Sequence, residues 1–188
     1  MENHQSTIEK LITGLRNTDR ETLVGAFEIR NWPVGSYLSS QGEREENEYL
    51  LLSGRARSVV TDAEGTEVNL NLYAAPMVIT PNMARMSGGR SFVDIEILDD
   101  AAVASMPTAQ LMDLMVNLES VREWGNDIMR EELALKVGRE WCLSALSARQ
   151  RLEWFRQAHP RYETLFAHFH IASYLGMTPV TLSRARNL

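Results

Sequence analysis

The chain carries a single cysteine, Cys142, in 188 residues, which excludes an internal disulfide framework and an iron–sulfur centre held by several thiolates of one chain. One thiol fits a reducing compartment. No apolar run approaches the length of a membrane span, and the start Met-Glu-Asn-His-Gln-Ser-Thr lacks the basic flank and apolar core of a signal peptide. A cytoplasmic protein of bacterial type, with no membrane partner, is therefore expected. Histidine is scarce as well: His4, His159, His168 and His170 fall near the two ends, and no metal-ligand spacing, phosphate loop or Ser/His/Asp cluster occurs. The acidic pairs Glu45-Glu46 and Asp99-Asp100 sit at loop-like positions and fit solvated turns better than a catalytic dyad. Catalysis and a bound metal are not expected.

What is present points to a globular protein, 44% apolar and 23% charged, long enough for one sizeable core and a small second module. The net charge of −6 is spread unevenly. Residues 144 to 188 hold six arginines (149, 151, 156, 161, 184 and 186) against Glu153 and Glu163, a net of +4, which leaves −10 on residues 1 to 143. An acidic body with a basic tail is the asymmetry expected when only the tail meets phosphates.

Along residues 7 to 28, Ile8, Leu11, Ile12, Leu15 and Leu23, with Thr18-Asp19 as a start signal, predict two short helices. From Glu28 the pattern changes to short β-branched and aromatic segments: Glu28 to Trp32, Glu48 to Leu52, Ala56 to Thr61, Glu67 to Tyr73, Phe92 to Leu98 and Ala102 to Met106. Asp62-Ala-Glu-Gly65 is a hairpin turn and Ser53-Gly54 a tight corner, so this part reads as a β-sandwich or barrel. Pro76, Pro81 and Gly88-Gly89 mark an irregular segment, about 74 to 90, expected to form a pocket wall. From Thr108 the period is helical, interrupted near Asn117-Leu118, Ser144 and His159-Pro160.

The run Ile171-Ala-Ser-Tyr-Leu-Gly-Met-Thr-Pro-Val-Thr-Leu-Ser-Arg-Ala-Arg-Asn-Leu188 reads as a helix-turn-helix. Ala172 is small enough for a close crossing, and Gly176 suits a turn that needs positive φ. Thr178 can cap a helix that starts with Pro179. Ile171, Leu175, Leu182 and Ala185 would face inward. Thr178, Pro179, Val180, Thr181, Ser183, Arg184 and Arg186 remain as the candidate DNA-binding residues, Val180 for a thymine methyl and Arg184 for a base edge or a phosphate. Arg186, Arg149 and Arg151 are expected to clamp phosphates. The alternative is an ordinary helical hairpin that binds nothing.

The longest predicted helix is Glu119 to Leu143. Val121, Trp124, Ile128, Leu135 and Cys142 approximate an a/d stripe, broken by Glu131 and Gly138, and the first four are the candidate dimer residues. A helix packed on its own β-domain would give the same stripe. Cys142 is either core or an intersubunit redox switch.

In this order the elements resemble the Crp/Fnr transcriptional regulators. The likeness is carried by Pro33-Val-Gly-Ser-Tyr-Leu-Ser-Ser-Gln-Gly-Glu43, Glu48-Tyr-Leu-Leu-Leu-Ser-Gly-Arg55, Thr61-Asp-Ala-Glu-Gly-Thr-Glu-Val68 and Ile171 to Arg184, the last close to the form in a short-chain branch of the family. It implies an α+β fold. A jelly-roll-like β-roll, similar to a cyclic-nucleotide-binding domain, would occupy 1–107, a dimerisation helix region 108–143 and a helix-turn-helix domain 144–188. It further implies a homodimeric, sequence-specific regulator that binds double-stranded DNA and meets RNA polymerase, switched about a junction near Leu143 to Ser147. The family's phosphate cassette survives only as Arg90-Ser91, the candidate effector residues. Pro76-Met-Val-Ile-Thr-Pro-Asn82 lacks the Gly and Glu that would hold a ribose, so the nucleotide cassette is degenerate. A cyclic nucleotide is disfavoured as cofactor; a different small ligand, or none, is expected. Heme has no histidine in the β-roll to hold it. The other reading is a signalling or interaction protein with a vestigial helix-turn-helix.

Overall fold

A computed structural model describes residues 4–187. Two short helices, α1 (His4–Leu11) and α2 (Asn17–Gly25), precede ten strands: β1 (Glu28–Trp32), β2 (Tyr37–Ser39), β3 (Asn47–Leu51), β4 (Arg55–Thr61), β5 (Glu67–Ala74), β6 (Met77–Val78), β7 (Met86–Ser87), β8 (Arg90–Ser91), β9 (Asp94–Ile97) and β10 (Ala101–Pro107). A single turn, α3 (Asn82–Arg85), lies between β6 and β7. Two antiparallel four-stranded sheets, β1-β10-β3-β6 and β2-β9-β4-β5, face each other, and β7-β8 forms a small hairpin. This is an α+β fold with a β-roll followed by a helical module. Gly54 makes the corner before β4 at φ +84°, where a Cβ would lie 2.9 Å from both the Ala101 side chain and the Asp100 carbonyl. No other residue fits there.

Strand β3 from Tyr49 onward and most of β10 are apolar because both of their faces are covered there. Tyr49, Leu51, Ala101 and Val103 point into the roll, where they meet Leu38, Tyr73, Ile95 and Ile97. The alternate residues Leu50, Ala102, Ala104 and Met106 point outward onto α1 and α2 and onto the helices that follow, α4 (Thr108–Asn117) and α5 (Glu119–Ala145). The 27 residues of α5 run along the roll. The chain then turns at Leu146-Ser147, where Ser147 and Gln150 form a reciprocal capping box, into α6 (Ala148–Ala158), α7 (Tyr162–Leu165), α8 (His168–Tyr174) and α9 (Pro179–Arg186).

The helical module docks on the outer face of its own roll. Leu72 of β5 belongs to the module's core together with Cys142, Phe155, Phe166, Ile171 and Leu182. One side chain ties three elements together: Arg139 of α5 donates to the Asn69 carbonyl at 3.1 Å and to the Tyr174 carbonyl at 2.9 and 3.1 Å, with its guanidinium 4.6 Å above the Tyr174 ring. The Asn69 amide donates to Ser173 Oγ (2.9 Å) and its side chain to the His170 carbonyl (3.0 Å). Arg55 reaches the Leu165 carbonyl and lies over the Phe166 ring.

The stripe read as a dimer seam faces inward. Val121 and Trp124 are buried in the core beneath α1 and α2, Ile128 packs against that core, and Leu135 is partly buried beside Pro76 and Met77. These residues are spent on the chain's own roll, which is where a helix lying on a sheet puts its apolar face. The outward face carries a second stripe at 3–4 spacing, with Leu133 (65% exposed), Val137 (56%) and Trp141 (54%). Cys142 is buried in the module's core, where burial pushes its thiol pKa up, so it packs rather than reacts.

Candidate nucleic-acid interface and ligand cavity

The helix-turn-helix is built by α8, a turn and α9. Ile171, Ala172, Leu175 and Leu182 are fully buried and Ala185 nearly so, all in one core. Gly176 turns the chain at φ +61°, where a Cβ would come within 3.2 Å of Leu143 Cδ2. Thr178 Oγ1 accepts the Thr181 amide at 3.1 Å and Pro179 takes the first helical position, where its missing N–H costs nothing. The outward face of α9 presents Thr178, Pro179, Val180 (60% exposed), Ser183 and Arg184, with Thr181 half-buried. Arg184 makes no ion pair among the described residues. Leu188, the last residue of the motif, lies outside the described residues.

The other arginines divide by partner. Arg186 donates through Nε to Glu163 (2.8 Å), which also holds Arg156 (2.5 Å) and whose carboxyl these two cations keep below the usual carboxylate range. Arg186 also contacts His168 (2.8 Å), so it braces α9 against α7. Arg151 is no phosphate clamp: it donates to the carbonyls of Leu143 (2.8 Å), Leu146 (3.0 Å), Leu175 (3.1 Å) and Gly176 (3.3 Å), stapling the end of α5 to the turn of the motif. Arg149 stays exposed beside Glu153 at 3.2 Å. Behind them His159 sits among Phe155, Tyr162 and Tyr174, where burial lowers its pKa to about 4.

Inside the roll a cavity of about 460 Å³ opens between Ser58, Tyr73 and Thr80 on one side and Lys136 and Arg139 of α5 on the other. The expected effector residues are not there. Arg90 is exposed on the β7-β8 hairpin and donates to the Gly42 carbonyl (2.7 Å), while the buried Ser91 hydroxyl accepts from Ser39 Oγ (2.7 Å) and donates to the Val93 carbonyl (2.7 Å). The guanidinium on the roll side of the cavity belongs to Arg85, in the irregular segment, and its nitrogens donate to the Glu45 carboxylate and to the Asn47 and Thr80 carbonyls. Lys136 pairs with Glu132 at 2.9 Å and Arg139 is spent on carbonyls. Each cation lining the cavity already has a partner among the described residues, so none stands ready for a cyclic phosphate and the lining fits a cyclic nucleotide poorly.

The far side of the cavity is latched to α5. Thr80 Oγ1 donates to Glu132 (2.9 Å) and accepts from Tyr73 OH (2.8 Å), so the helix meets the roll through a direct chain of hydrogen bonds. Sequence reasoning missed Arg85, Glu132 and Arg139, and it read Glu45 as part of a solvated turn, whereas Glu45 is buried and paired with Arg85. Glu45 and Arg85 are forty residues apart and carry no local signal, but Glu132 and Arg139 had one: they fall in register with Ile128, Leu135 and Cys142, as charged positions on an otherwise apolar face.

No family model matches the chain, nor does any curated protein. Solved structures do. The chain is similar to FixK2 from Bradyrhizobium japonicum, with a TM-score of 0.75 at 18% identity over 86% of this chain and 83% of that one. A CooA variant from Carboxydothermus hydrogenoformans gives 0.71 at 19% identity, covering 88% and 77%. The c-di-GMP responsive global regulator CLP from Xanthomonas campestris gives 0.68 at 11% identity, covering 92% and 90%. A putative transcriptional regulator of the Crp/Fnr family from Eubacterium rectale gives 0.67 at 17% identity, covering 92% and 82%, so the β-roll, long helix and helical module of this chain share the fold of these solved structures.

Proposed function

We propose that the protein is a homodimeric, sequence-specific DNA-binding transcriptional regulator of Crp/Fnr type and not an enzyme. The observation that carries this is α9: a capped helix with Val180, Ser183 and Arg184 on its open face, Arg184 making no ion pair among the described residues. Val180 offers a methyl contact to thymine, Thr178, Thr181 and Ser183 offer hydroxyls, and Arg184 a base edge or a phosphate. Arg186 acts through Glu163 as a brace. The second copy packs along the outward face of α5, on Leu133, Val137 and Trp141, because recognition helices work in pairs on two half-sites and this stripe stays exposed among the described residues. RNA polymerase would be met by the DNA-bound dimer.

Regulation acts on the joint between module and roll. The docked disposition is held by Arg139, Asn69, His170 and Ser173, and a second disposition would release these bonds about Leu146-Ser147. Any effector in the roll is a small molecule other than a cyclic nucleotide.

Sedimentation of the wild type and Val137→Glu tests the dimer, with the variant expected as a monomer. Fluorescence anisotropy on duplex DNA from upstream of the protein's own gene and on scrambled DNA tests the rest: tighter binding to the upstream duplex, unchanged by cyclic AMP, is expected. Weak, equal binding to both that persists across a random-sequence selection would replace this reading with an interaction protein whose helix-turn-helix is vestigial.

A further inference from the structure

We propose that the cleft between α4, α5 and the outer edge of the roll is a second ligand site, which takes a medium-chain fatty acid with its acyl chain buried and its carboxylate on Arg122. The cavity is about 510 Å³, within the range of roughly 300–1,000 Å³ typical of sites for small organic ligands. It is separate from the cavity inside the roll and shares none of its lining residues.

The walls are apolar and adaptable. Met83, Met112, Met115 and Met129, four of the nine methionines of the chain, surround a floor formed by Trp124 and Leu50. Unbranched thioether side chains follow the shape of a flexible hydrocarbon better than branched ones do. Met83, Met112 and Val116 remain exposed at the rim, an apolar patch that a buried chain would cover. Gly125 sets the depth: a Cβ there would meet Met115 Cε at 2.8 Å, so glycine lets Met115 lie flat on α5 and keeps the floor low.

Charge chooses the head group. Arg122 is exposed at the rim, donates only weakly to the Met115 carbonyl (3.3 Å) and makes no ion pair among the described residues. Asn126, one helical turn on, is a second exposed polar group at the same rim. A carboxylate can take two bonds from a guanidinium fork. The one carboxylate in the lining, Glu48, does not compete for a cationic ligand, since its oxygens accept from the Asn82 amide (2.8 Å) and the Thr108 hydroxyl (3.2 Å). Burial also raises the Glu48 pKa. This inference does not rest on DNA binding.

The test titrates dodecanoate, below its micellar concentration, into the full-length protein, reading tryptophan emission and thermal midpoint, with dodecanol and dodecyltrimethylammonium as head-group comparators. Saturable binding of one dodecanoate per chain is expected, with an emission change lost in Trp124→Phe. Arg122→Glu should weaken dodecanoate at least tenfold, and Gly125→Leu, which fills the floor, should abolish it while both variants keep the wild-type circular dichroism. Four results would each overturn the proposal: no saturable binding, equal binding of the three amphiphiles, an unchanged Kd in Arg122→Glu, or binding confined to the Val137→Glu monomer. The last would assign the cleft to a second copy of the chain.

Discussion

Replacing Arg139 by leucine should loosen the joint between the helical module and the roll without unfolding either. The guanidinium serves two carbonyls, of Asn69 and Tyr174, and lies over the Tyr174 ring. A hydrogen bond from a charged donor is worth roughly 1.5–3 kcal/mol net. Desolvation returns part of that, as the lowered pKa of Arg139 shows. Leucine keeps the apolar stem, so the net loss is about 2–3 kcal/mol, or roughly 30- to 150-fold in the opening equilibrium. The Asn69 amide is a direct reporter, because it is bonded to Ser173 Oγ across the joint rather than within the sheet. Native-state hydrogen exchange should show its protection falling by that factor in Arg139→Leu, while amides of the β3-β10 pair stay unchanged. Arg30→Leu, which removes only an exposed pair with Glu28, should leave Asn69 as it was. Asn69 protection within threefold of wild type in Arg139→Leu would refute the role given to Arg139.

Three further outcomes follow from the local geometry. Gly176→Ala forces a side chain to φ +61° and against Leu143, and should destabilise the protein by about 1–2 kcal/mol in urea denaturation. Thr178→Ala removes the α9 cap and should cost about 1 kcal/mol by the same measurement, with Thr178→Ser close to wild type. His159 has a folded pKa of about 4 against roughly 6.5 unfolded, so between those values it is mostly neutral in the native state and mostly charged in the unfolded one. Its contribution is complete above the unfolded value and is lost as pH falls toward 4, a decline of about 3 kcal/mol that His159→Phe should flatten in urea midpoints measured across pH 4 to 7.

How far the sequence could be read depended on how local each signal was. β1, β4, β5 and β10 were legible from short segments with β-branched and aromatic residues between turn residues, and the helix-turn-helix from Gly176, Thr178 and Pro179 within four positions. β2, β6, β7 and β8, two or three residues each, take their conformation from partners far along the chain and show no period of their own. On α5 the period was right and the face ambiguous. Val121, Trp124, Ile128 and Leu135 make one stripe, Leu133, Val137 and Trp141 another, and only packing decides which meets the roll. Arg90-Ser91 was misleading for the opposite reason: adjacency in sequence survives in the structure, but the hairpin turns Arg90 outward and leaves the cavity to Arg85. Arg151 and Arg186 looked like free cations because the carbonyls and the carboxylate that hold them come from other helices.

The most direct test of the account is selection from a random duplex pool with the full-length protein, followed by anisotropy of the enriched duplex at several salt concentrations. The account predicts two related half-sites with centres about one helical turn apart, roughly 10 base pairs, and a binding slope against salt that falls by about one in Arg184→Ala. It further predicts that Val180→Ala relaxes one base position within each half-site. A pool that enriches nothing, or an enriched duplex bound equally by wild type, Arg184→Ala and Val180→Ala, would contradict a DNA-reading role for α9.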